Sequence, residues 1–66
     1  MLYIDTCTYD DYDKAILFCI KNNINVNNRN KAKMSFAAEM SEDDFARMQK
    51  EAGFKESIIA GDTPLD

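Results

Sequence analysis

Residues 31–40, KAKMSFAAEM, carry apolar side chains at every second position: Ala32, Met34, Phe36, Ala38 and Met40 alternate with Lys33, Ser35, Ala37 and Glu39. That is the period of a strand with one buried face and one mostly polar face. A strand of this length needs further strands along both edges and a helix layer against its apolar side. The rest of the chain supplies them.

On the N-terminal side, Ile24 and Val26 alternate with Asn25 and Asn27, a second short strand, and Asn28, Arg29 and Asn30 are expected to turn it into the central one. Asparagine at such density packs poorly in a core, which places this strand at a sheet edge. Before it, residues 9–23 read as a helix. Thr8 is its N-cap, Asp11 stands at the capping-box position, and Asp10 and Asp13 complement the helix dipole. Tyr12, Ala15, Ile16, Cys19 and Ile20 recur at helical spacing, and Leu17 and Phe18 widen the stripe, so burial along more than one side is expected. Asn22 and Asn23 end the helix, because asparagine tolerates the left-handed conformation found there. The chain opens with a strand that points Leu2 and Ile4 inward and Tyr3, Asp5 and Cys7 outward.

On the C-terminal side, Ser41 followed by Glu42, Asp43 and Asp44 is the clearest helix start in the sequence. Phe45, Met48 and Ala52 form its inward stripe, with Arg47, Gln49, Lys50 and Glu51 toward water. Gly53 is placed to close the helix, and Phe54 to fold back on Met48. Ser57, Ile58, Ile59 and Ala60 make a last strand, and 61–66 a polar C-terminal tail. The order strand, helix, strand, strand, helix, strand is that of an α+β ferredoxin-like domain over 1–60: a four-stranded antiparallel sheet with two helices on one face. Fusing residues 24–40 into one bent strand is the competing parse, and the asparagines make it the poorer one.

A chain of 66 residues is one domain near the lower limit for independent folding. No apolar run approaches the roughly 20 residues of a membrane span, and the start has no basic, cleavable leader, so a soluble cytoplasmic protein without membrane contact is expected. Cys7 and Cys19 fall on separate elements, too far apart for a disulfide, and are expected as free thiols. A domain this small without a staple gains from self-association, so a homodimer is expected as well.

With 12 acids against 8 bases the net charge is −4, which argues against broad phosphate binding. The acids gather at the two helix starts. Together with the open sheet face they define the candidate partner-binding set: Tyr3, Asp5, Asp10, Asp11, Asp13, Glu42, Asp43 and Asp44. The one basic cluster is Arg29, Lys31 and Lys33. Leu2-Tyr3-Ile4 is similar to the first-strand motif of RNA-recognition motifs, which would make Tyr3, Arg29, Lys31 and Lys33 a nucleic-acid-binding set. The second motif of that family is missing from 31–40, whose single aromatic, Phe36, lies on the inward face. Ferredoxin-like nucleases place an aspartate near the end of the first strand, where Asp5 stands.

The chain has no histidine and only two glycines, so neither a neutral-pH base of the usual kind nor a phosphate-cradling loop is present. No enzyme, cofactor or metal is expected. The leading expectation is a small protein-binding inhibitor or regulator, of the kind encoded by phages and mobile elements, that covers a surface on a larger host protein. A nucleic-acid-binding enzyme with a basic groove is the partner that clustered acids would suit. The RNA-binding regulator is the alternative, and a metal-dependent nuclease built on Asp5 comes third.

Overall fold

In a computed structural model of the chain, which describes residues 1–62, the elements are β1 (Leu2–Asp5), α1 (Tyr9–Lys21), β2 (Val26–Asn30), β3 (Ser35–Ala38), α2 (Glu42–Glu51) and β4 (Ile59–Gly61). The strands form one sheet in the order β2-β3-β1-β4, with every neighbouring pair antiparallel. This is an α+β domain with the interleaved ferredoxin-like topology. Leu2, Ile4, Phe36 and Ala38 from the sheet meet Tyr12, Ala15, Phe18 and Cys19 from α1 and Met48 from α2 in a single core, so both helices cover the same face. The Tyr12 and Phe36 rings pack edge to face at 5.9 Å, joining α1 to the central strand.

The helix boundaries follow local chemistry. The Thr8 side chain accepts from the Asp11 backbone N–H, and the Ser41 hydroxyl accepts from that of Asp44. At the end of α1, Asn23 is left-handed at φ +57°, Asn23 N–H donates to Ile20 and Ile24 N–H donates to Cys19. Those two bonds are a Schellman closure, so the helix stops at Lys21, two residues before the expected end. Gly53, at φ +66°, takes the left-handed position after α2.

The central hairpin corrects the sequence reading. β3 begins only at Ser35, and residues 31–34 are the turn. Met34 sits in the left-handed region at φ +55°, and its carbonyl accepts from both the backbone N–H and the hydroxyl of buried Thr6. Asn30 caps the turn by accepting from Lys33 N–H. Asn28, Arg29 and Asn30, expected as the turn, instead lie in β2. There Asn28 at φ +52° accommodates a register shift between Asn27 and Asn30. Phe36, Ala38 and Met40 do point inward, and β2 is an edge strand. Ile58 is buried ahead of β4, and Gly61, expected in the tail, belongs to that strand. Residues 63–66 of the expected tail lie outside the described residues.

Two expectations for α1 are also corrected. Leu17 and Ile20, expected in a buried stripe, are 50% and 58% exposed. A two-layer domain covers one side of a helix, and α1 turns Tyr12, Ala15, Phe18 and Cys19 to the sheet and α2. Asp11, expected as a surface acid of the partner-binding set, is fully buried.

Candidate functional site

Cross-strand neighbours share a sheet face. One row of the face turned away from the helices therefore reads Asn27, Ala37, Tyr3, Gly61, and the next reads Asn30, Ser35, Asp5, Ile59. Tyr3 and Asp5 are half-buried, whereas Ile59 is 58% exposed. Ala37 has no exposed surface, although none of the described helices packs on this side. Asp5 makes no hydrogen bond or ion pair among the described residues. Beyond the end of β3, Glu39 accepts from the Asn25 side-chain amide at 2.8 Å. The face is thus an aromatic and aliphatic platform carrying a free carboxylate.

The expected acidic set is divided. Each helix begins where its preceding strand ends, and β1 and β3 are antiparallel, so the Asp10–Asp13 group and the Glu42–Asp44 group lie at opposite ends of the sheet. Several of these acids are also engaged. Asp10 pairs with Lys55 at 3.6 Å, and Asp44 with Arg47 at 3.8 Å. Asp11 clasps the segment after α2: its two carboxylate oxygens accept from the backbone N–H groups of Lys55 and Glu56 at 3.1 and 3.0 Å. Burial pushes the Asp11 carboxyl up, yet those two donors, the Thr8 hydroxyl and the charge of Lys14 outweigh it and hold the group below its ordinary value. Asp11 is structural. Its position was readable, because Asp11, Ala15, Phe18 and Cys19 share the buried face at i, i+4, i+7 and i+8.

The expected nucleic-acid set is split as well. Tyr3 faces away from the helices, whereas Arg29 and Lys31 line a groove of about 600 Å³ on the helix side, between α1 and the β2–β3 hairpin. The same groove is lined by Asp13, Ile16, Leu17 and Ile20. Lys33 sits in the exposed turn. Asp5 stands without a cluster around it: among the described residues no three His, Cys, Asp or Glu side chains gather in a way that could hold a metal ion.

Sequence reasoning missed the outer ridge of α1. Tyr9, Leu17 and Ile20 supply three of the five large apolar side chains exposed among the described residues. They fall on one side of the helix with Asp13, at i, i+4, i+8 and i+11. Of the two thiols, Cys7 is exposed and donates to the Ser57 carbonyl, and Cys19 is buried in the core. Desolvation pushes the Cys19 thiol up to about 11, which leaves it inert at neutral pH.

No protein-family model, curated protein or solved structure matches the chain significantly. No helix among the described residues is long and apolar enough to cross a membrane.

Proposed function

We propose that this chain is a small cytoplasmic protein-binding inhibitor or regulator that covers a basic surface on a larger protein with the open face of its sheet. The observation that supports this reading is the sheet face turned away from both helices, where Tyr3 and Ile59 flank the Asp5 carboxylate, which has no partner among the described residues. An aromatic side chain with a polar tip anchors protein contacts at low entropic cost. A neighbouring carboxylate selects a cationic partner and speeds the encounter. A nucleic-acid-binding groove is the partner surface such a platform suits. The placement of Tyr3 and the Arg29–Lys31 pair on opposite faces speaks against a stacked-base RNA platform, which needs its aromatic and its cations side by side.

The test is capture of partners from nuclease-treated lysate with the tagged wild-type chain and with Tyr3→Ala and Asp5→Lys. The expected result is a basic protein that wild type retains, that both variants lose, and that added nucleic acid displaces. Capture of only nuclease-sensitive material, or of a protein indifferent to both substitutions, would overturn the reading.

A further inference from the structure

The outer ridge of α1 is a second surface, on the helix side of the sheet and separate from the platform of Tyr3, Asp5 and Ile59. Leu17 lies at its centre, half exposed, with Ile20, at 58% exposure, one turn further on. Two groups of opposite charge bracket Leu17 four residues away on either side: Asp13 toward the N-terminus and Lys21 toward the C-terminus, both exposed. Neither has an ion pair or side-chain hydrogen bond among the described residues. At about 1.5 Å rise per residue each stands roughly 6 Å along the helix axis from Leu17. From N to C the ridge therefore runs acid, apolar, base, and that order is complementary to its own reverse.

We infer that this ridge is the seam of a homodimer in which two copies of α1 pack antiparallel about a two-fold axis beside Leu17. In that arrangement Leu17 and Ile20 of each copy cover those of the other, and each Asp13 faces the Lys21 of its partner. A contact of this kind is isologous: the same patch serves both copies and closes on itself. An acidic partner of another kind would complement Arg29 and Lys31 at the groove's edge but would leave Asp13 opposed by like charge. A second copy answers Asp13 and Lys21 together. The order of charge about Leu17 decides for self-association, and the small size of the domain gives it a reason to bury this apolar surface.

The experiment is sedimentation equilibrium of the wild-type chain across a wide concentration range, repeated with Leu17→Glu, Asp13→Lys, Lys21→Asp and the double charge exchange Asp13→Lys/Lys21→Asp. All three substituted positions are exposed, so far-ultraviolet circular dichroism is expected to report intact folds. The wild type should reach twice the 7.5 kDa chain mass. Leu17→Glu should halve that mass at every concentration, each single charge reversal should weaken association at least tenfold, and the double exchange should restore it. A wild-type chain that stays monomeric throughout would overturn the inference and leave the ridge to a heterologous partner. A dimer indifferent to Leu17→Glu, or one that the double exchange fails to restore, would overturn it too. Asp5→Lys should leave the mass unchanged, so this outcome and that of the sheet-face capture are read independently.

Discussion

A single buried carboxylate does the work of a staple in this chain. Asp11 holds the backbone N–H groups of Lys55 and Glu56, more than forty residues away in sequence, and so fixes the segment that leads into β4. Asp11→Asn keeps the shape but turns an acceptor into a donor that faces one of those N–H groups, leaving it without a partner. An orphaned buried donor costs about 1–3 kcal/mol, and that loss is the expected result of chemical denaturation at pH 7. The pH dependence has a definite sign. The folded-state carboxyl lies below its ordinary value of 3.8, so its contribution is complete above that value and fades as pH falls through it toward the folded one. The stability gap between wild type and Asp11→Asn should therefore shrink in acid; a gap that widens there would show that the carboxylate is not what holds the clasp. A surface role for Asp11 came from reading it with Asp10 and Asp13 as one acidic run, when its helical position set it on the core side. Burial of a charge is otherwise rare enough that the run was the natural unit.

At the scale of elements, both helix starts were legible because capping is local chemistry between a hydroxyl and an N–H three residues on. The inward face of β3 was legible from alternation alone. Its beginning was not, since Ala32 and Met34 continue the alternation that the backbone abandons. A tertiary bond decides the matter: Thr6 at the end of β1 captures the Met34 carbonyl and holds that residue in a left-handed turn. Asn28 then serves β2 as a bulge, while Asn30 caps the turn that follows. The core face is the part that can be tested most directly. Phe36, 2% exposed against Tyr12, should cost about 3–5 kcal/mol on truncation to alanine. A small domain holds about 0.05–0.15 kcal/mol per residue, so a loss of that size removes much or all of its stability. Ser35→Ala, on the opposite face of the same strand, should change the unfolding free energy by no more than about 0.5 kcal/mol. Equal losses from the two would mean that the strand's faces are not distinguished by burial.

For the molecule as a whole, charge sums were visible in the sequence and charge placement was not. Twelve acids suggested one acidic surface, but antiparallel β1 and β3 deliver their helices from opposite ends and separate the two groups. The ridge of α1 had a signal of its own: from Tyr12 to Ile20 the helix has more large apolar residues than one face holds, and a two-layer domain covers only one face. The excess has to face water or a partner. If it faces a second copy, stability becomes a function of concentration. Binding at one hundred times the dissociation constant adds about 2.7 kcal/mol, and each kcal/mol raises the melting temperature of a domain this size by about 4–8 °C. Thermal scans from below the dissociation constant to a hundredfold above it should therefore show the wild-type transition rising by on the order of 10 °C. Leu17→Glu should melt at one temperature throughout, close to that of the dilute wild type, because it removes the seam and leaves the core as it was. A wild-type transition as flat as the variant's would mean that Leu17 and Ile20 remain in water in the free protein.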